Sequence, residues 1–275
     1  MKGRILIIAG SDSGGGAGIQ ADIKSVTALG GYAMTAITAL TAQNTQGVFG
    51  IHPVPEPFIR QQIELCLADI GADCIKTGML ATAATIETVV KALDEFARGV
   101  PLVADPVMVA KGGAALLEPA ATEAVRRLLL PRATLITPNV PEAEALTGRK
   151  IGSCAEMRSA GEALLALGAK AVLMKGGHLA GDRVHDLLIT AGGEARAFES
   201  PRIETRHTHG TGCTLASAIA TGLAQNMALA DAVARARAYV QAAIRAAPGF
   251  GKGHGPLDHG VTVDPSRIAD GAKET

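Results

Sequence analysis

A chain of 275 residues with 48% hydrophobic and 19% charged side chains carries enough apolar content for one large core, about the upper size of a single α/β domain. Lys plus Arg equals Asp plus Glu at 26 each, so no basic excess points to nucleic acid or to an anionic membrane surface. Cys66, Cys74, Cys154 and Cys213 form no CxxC pair, and no run of 18 apolar residues exists, so reduced thiols in a soluble, cytoplasmic protein are the expectation.

Residues 4–9 are a β-branched apolar run bounded by Gly10, which predicts a first, buried strand. GSDSGGGAG (10–18) reads as a glycine loop, and 19–29 as a helix closed by Gly30 and Gly31. A second strand is expected at 32–41, running into Ala42-Gln43-Asn44-Thr45, and an edge strand at 49–54 before Pro55. Phe58, Ile59, Ile63, Leu67 and Ile70 have helical spacing within 56–70. Strand 74–79, helix 82–96 and strand 100–104 follow, the last ending at Asp105-Pro106. A helix at 119–129 starts on a proline, and strand 134–137 leads into Pro138-Asn139-Val140-Pro141-Glu142. Helices at 141–146 and 154–167 precede strand 171–174, which stops at Lys175-Gly176-Gly177. Residues 184–190 and 194–199, joined by Ala-Gly-Gly, predict an antiparallel hairpin on the sheet edge. A last helix is expected at 229–247, with Arg126, Arg127, Arg235, Arg237 and Arg245 on solvated faces. One domain at 1–263 and a fraying tail at 264–275 complete the reading.

The alternation of apolar strands with helices implies a mainly parallel sheet covered on both faces, with ligands beyond the carboxyl ends of its strands. Gly10 to Asp12, Gln43, Lys76 to Met79, Asp105 to Lys111, Asn139 with Glu142, and Lys175 with Gly176 then share one rim. Facing them is THGTGCTLASAIATGL (208–223), where Gly210, Thr211 and Gly212 open a chargeless helix. The unpaired amides and positive dipole end of such a helix hold a phosphate or oxyanion without a lysine. Cys213 stands in that first turn, where a lowered thiol pKa is expected. Two carboxylates, a lysine and an anion cradle suit phosphoryl transfer. Gly16-Ala17-Gly18-Ile19-Gln20-Ala21 formally matches GxGxxA, but no acid falls between Thr35 and Gln46, and no GxxxxGK[ST] exists, so neither a dinucleotide site nor a P-loop is indicated.

IAGSDSGGGAGIQADIK, ITALTAQNTQGV, IKTGML, ADPVMVAKGG, LITPNVPEAEAL, VLMKGGH, THGTGCTLASAIA and GHGPLDH occur in this order. Together they resemble the ribokinase superfamily and, within it, the hydroxymethylpyrimidine/phosphomethylpyrimidine kinases of thiamine biosynthesis, over nearly the whole chain to about Asp258. The resemblance implies a ribokinase-like three-layer sandwich with an antiparallel edge hairpin. It implies ATP- and Mg²⁺-dependent phosphorylation of 4-amino-5-hydroxymethyl-2-methylpyrimidine and of its monophosphate.

The same resemblance places the transferring phosphoryl group on Gly210, Thr211, Gly212 and Cys213, with Lys175 as a phosphate contact. Cys213 occupies the place of the superfamily's usual Asp, and is either the base or hydroxyl-orienting group, or a residue that makes room for a phosphorylated substrate. Asn139-x-x-Glu142 matches the motif that holds Mg²⁺, and Asp105 either shares that role or caps a turn. Gln43 offers an amide edge complementary to a 4-aminopyrimidine, and Gly10, Met79 and Val107 form the apolar slot by resemblance. Rival readings are a pyridoxal kinase of the same superfamily, a non-catalytic pyrimidine- or nucleotide-binding protein, and a nicotinamide oxidoreductase. His207 and His209 have no partners at zinc-ligand spacing. The edge hairpin offers a surface for homodimerisation; the role of the segment around His254 is left open.

Overall fold

The computed structural model describes residues 2–108 and 119–266. Lys111 with its neighbouring glycines, and most of the expected tail, lie outside the described residues. Nine strands among the described residues form one sheet, in the order β3-β2-β1-β4-β5-β6-β7-β8-β9. They are β1 (Arg4–Asp12), β2 (Tyr32–Asn44), β3 (Gly47–Pro53), β4 (Cys74–Thr77), β5 (Leu102–Ala104), β6 (Leu135–Ile136), β7 (Ala171–Lys175), β8 (Arg183–Thr190) and β9 (Ala195–Pro201). The pairs from β2 across to β7 are parallel, whereas β3 and the β8–β9 hairpin are antiparallel.

β1 shows why the central strands read as unbroken apolar runs. Ile5 and Ile7 face one layer while Leu6 and Ile8 face the other, and all four are fully buried. The first layer holds α1 (Gly18–Ala28), α8 (Thr211–Ala224) and α9 (Leu229–Arg245). The second holds α2 (Glu56–Asp69), α3 (Ala83–Phe96), α6 (Val140–Thr147) and α7 (Cys154–Ala166). It also holds one helical stretch made of α4 (Pro119–Ala124), a π-helical turn (Val125–Leu129) and α5 (Leu130–Arg132). This is the expected three-layer sandwich. α3 illustrates the helices: Thr82 caps its start by accepting from the Thr85 amide, and Ile86, Val89, Val90 and Leu93 bury one face. α8 is buried almost all round, which explains its lack of charge, and a side chain at Gly222 would press against Ala232 of α9.

Two expectations change. Gly10–Asp12 is strand, not loop: a register shift between Ala9 and Ser11 lets Ser11 pair with Leu40 and Asp12 with Thr41, so cross-strand pairing overrides the local composition. Arg235 and Arg237 are not solvated. Arg237 donates to Asp186 at 2.7 Å over the ring of Phe198, and Arg235 bonds Gln225 against α8.

Candidate functional site

β4 to β7 end on one rim, and the amino terminus of α8 comes to the same place. Gly210, with φ of +82°, turns the chain into α8 where a side chain would collide with the carbonyl of Gly16, so only glycine fits. The first intrahelical bond runs from Thr214 N–H to the Gly210 carbonyl at 2.9 Å and Thr211 N–H turns back to the Thr208 carbonyl at 3.4 Å, which leaves the Gly212 and Cys213 amides without an intrahelical partner. A β-carbon on Gly212 would lie 3.3 Å from Lys175 Nζ and 3.5 Å from Asp105 Oδ2, so the turn and the rim meet.

Lys175 is the hub of that rim. Its Nζ is 3.0 Å from Asp105 Oδ1 and 3.9 Å from Glu142 Oε2, and the Thr137 hydroxyl donates to the same Asp105 oxygen. Asn139 and Glu142 form a reciprocal capping box at the start of α6, each side chain accepting from the other's backbone amide. Asn139 therefore spends its carbonyl oxygen on the helix. Burial pushes the Glu142 carboxyl up to about 7, and Asp105 adds to this, while Lys175 and the Asn139 amide oppose it. Burial works against the charge on Lys175, but Asp105 and Glu142 outweigh it and raise its pKa.

Cys213 departs from expectation. Its thiol is pushed up to about 12, first by burial and then by Asp22 and Asp105, with Lys76 opposing. The lowered pKa inferred from the helix start is overturned, because desolvation of a thiolate outweighs the dipole. Beneath it lies a cluster whose members fall in three separate motifs and whose pairing no motif showed. Lys76, fully buried, holds both oxygens of Asp22 at 2.9 and 2.8 Å, and Ser217 donates to the same carboxylate at 2.7 Å. Lys76 is thus below the rim rather than on it.

On the other flank, Gln43 is half-buried near the end of β2. Its backbone exchanges two hydrogen bonds with the Ser13 hydroxyl, and its side-chain amide makes none to the described residues. Gly10 and Met79 adjoin, since a side chain at Gly10 would run into the Met79 thioether. Val107 lies beside Gly78 and Asp105, one strand further along. The structure therefore brings Gly210, Thr211, Gly212, Cys213, Lys175, Asp105 and Glu142 together, and pairs Gly10 with Met79. A separate cleft of about 260 Å³, lined by Asp94, Arg98, Arg132 and Lys170, opens at the amino ends of the strands, away from this rim.

Sequence reasoning put Asp12 on the rim without a partner, considered His209 only as a zinc ligand, and gave His259 no role. His209 binds Asp12 at 2.9 Å, and His259 meets the Thr214 hydroxyl of α8 at 2.9 Å. The GHGP segment fits between two loops: His254 N–H donates to the Thr45 carbonyl, and His209 N–H to that of Gly255.

The model of a family described as phosphomethylpyrimidine kinase matches residues 12–258. The chain belongs to this family. It is 53% identical over 267 residues to a thiamine biosynthesis bifunctional protein, ThiED, of Geobacter sulfurreducens, covering 97% of this chain and 54% of the relative, so it spans about half of that protein's length. It is 49% identical to a hydroxymethylpyrimidine/phosphomethylpyrimidine kinase of Streptomyces coelicolor, with 93% of this chain and 94% of the relative covered. Among solved structures, an ADP complex of Bacillus subtilis pyridoxal kinase superposes with a TM-score of 0.88 at 37% identity, covering 95% of this chain and 98% of that one.

A phosphomethylpyrimidine kinase implies Mg²⁺, and the donor set fits one mode of holding it. The described residues contain no group of three His, Cys, Asp or Glu that would cage a metal ion. Mg²⁺ keeps several waters and takes phosphate oxygens alongside one or two carboxylates, which is what Asp105 and Glu142 supply. Asn139 spends one lone pair of its carbonyl oxygen on the cap, and the reciprocal bond from its own amide orients Glu142. No helix among the described residues is long and apolar enough to cross a membrane.

Proposed function

We propose that this chain is a cytoplasmic kinase of thiamine biosynthesis that transfers the γ-phosphoryl group of ATP to the hydroxymethyl oxygen of 4-amino-5-hydroxymethyl-2-methylpyrimidine, and then to the resulting monophosphate. The observation that carries this reading is the meeting of the α8 amino terminus with the Lys175, Asp105 and Glu142 cluster.

The amides of Gly212 and Cys213 receive the equatorial oxygens of the transferring group, and Lys175 neutralises charge passing to the leaving phosphate. Asp105 and Glu142 are the carboxylates that would hold Mg²⁺, which would supply further charge neutralisation when bound. Gln43 pairs with the ring nitrogen and amino group of the pyrimidine, while Gly10, Met79 and Val107 line the ring. Cys213, a neutral thiol in the free protein, orients the acceptor hydroxyl toward the phosphorus.

The likeness to a pyridoxal kinase supports a second acceptor, pyridoxal, whose hydroxymethyl group sits on a similar ring. ADP release measured with the aminopyrimidine alcohol, its monophosphate and pyridoxal ranks the three; the first two are expected to lead in kcat/KM. Turnover of pyridoxal alone would reverse the assignment. Gln43→Ala is expected to raise KM for the pyrimidine roughly tenfold or more while KM for ATP changes little, as befits loss of a bidentate edge contact. Equal changes in both constants would count against that contact.

A further inference from the structure

Asp12 is the last residue of β1 and is almost fully buried. Its Oδ1 accepts from the Gly14 amide at 2.7 Å. Its Oδ2 accepts from Gly16 at 3.0 Å, from Ala17 at 2.8 Å and from His209 Nε2–H at 2.9 Å. One carboxylate therefore gathers three amides of the glycine loop and an imidazole from the far end of the chain. Burial works against its charge, but His209 and the loop amides prevail and hold the carboxyl below its usual range.

Both ends of this arrangement lead to substrate-facing groups. His209 immediately precedes Gly210, packs on Gly16, where a β-carbon would lie 2.6 Å from its ring, and is tied by its own amide to Gly255. On the opposite side Ser13, one residue from Asp12, clasps the backbone of Gln43 through its hydroxyl at 2.9 and 3.0 Å. Hydrogen bonds, joined by the peptide links Asp12–Ser13 and His209–Gly210, thus connect Gln43, Ser13, the glycine loop, Asp12, His209 and Gly210.

We propose that Asp12 and His209 are a positioning pair that sets the spacing between the ring-recognition side of the site and the anion-holding turn of α8. The inference rests on the kinase reading above, in which those two sides hold the acceptor and the moving phosphoryl group. Neither side chain meets the reacting atoms; the pair acts through the loops it joins. In-line transfer needs the acceptor oxygen held close to the phosphorus, and displacement by about 1 Å costs up to roughly 10²-fold in rate.

The test uses the full chain with His209→Ala, His209→Gln and Asp12→Asn. Expected are a roughly 10- to 100-fold fall in kcat for His209→Ala, with KM for ATP within about threefold, and recovery of most of the loss in His209→Gln, whose amide also donates. The double variant Asp12→Asn/His209→Ala should lose no more than the worse single one. An unchanged kcat, a Gln variant as impaired as the Ala variant, or additive losses would overturn the pairing. Hydrogen exchange separates this from the acceptor assignment: His209→Ala should speed exchange at residues 14–17 as well as at 210–213, leaving α3 unaffected. Faster exchange confined to residues around 209 would refute the coupling, whatever acceptor the wild-type chain phosphorylates.

Discussion

Cys213 shows how two effects of opposite sign are decided by size. A helix amino terminus favours a thiolate by about 0.3–1 kcal/mol, whereas burial, aided by Asp22 and Asp105 against Lys76, carries this thiol from 9 to about 12, a net cost on the order of 4 kcal/mol. The group is therefore protonated at neutral pH. Cys213→Ala is expected to lower kcat about tenfold, short of the roughly 10²–10⁴ that follows removal of a general base. A larger loss, together with a thiol ionisation in the pH–rate profile that vanishes in the variant, would restore the base role. The exposed Cys154 should react with iodoacetamide at pH 8 well before Cys213 does.

At the scale of elements, the Lys76, Asp22 and Ser217 cluster ties β4, α1 and α8 together directly under the anion-holding turn. The ammonium and carboxylate satisfy each other in a fully desolvated place, so removing one leaves the other stranded. Lys76→Met should cost about 3–5 kcal/mol in urea unfolding, and Lys76→Met/Asp22→Leu should recover much of it, since an apolar pair strands no charge. A single variant as stable as wild type would show that water reaches the site.

This cluster also marks a limit of reading from sequence. Asp22 is 54 positions from Lys76 and 195 from Ser217, and each sits in a stretch whose periodicity says only helix or strand. The polar rim, by contrast, was legible, because parallel strands deliver their last residues to one edge and Asp105, Asn139 and Lys175 each end an apolar run. Gly10–Asp12 was misassigned for the complementary reason: its composition favours a loop, and pairing with β2 decided otherwise.

Across the whole molecule, the two ends of the chain converge on α8. β1 supplies Asp12 to the turn before it, while His259 accepts or donates at Thr214 in its first turn and its carbonyl receives the Tyr239 hydroxyl. Burial lowers the His259 pKa from 6.5 to about 4, with Lys24 adding and Asp258 opposing. The unfolded chain then binds a proton below pH 6.5 that the folded chain refuses until about pH 4. The stabilisation from the neutral imidazole is complete above 6.5 and drains away as pH falls toward 4, by about 3 kcal/mol. His259→Gln should flatten the stability profile in that window, as followed by thermal unfolding at pH 7 and pH 5; an unaltered slope would mean that other groups govern it.

The sequence alone determined the alternation of strands and helices, the layered architecture and the edge hairpin, because these follow from local periodicity and turn chemistry along contiguous residues. It also identified which strand ends carry the polar rim. Only the tertiary structure decided that Cys213 is a neutral thiol, that Lys76 is buried against Asp22, that Asn139 serves as a cap, and that Asp12 and His209 join the two sides of the site. Each of these depends on desolvation or on hydrogen bonds between residues far apart in the chain, and such terms exist only once the layers have closed.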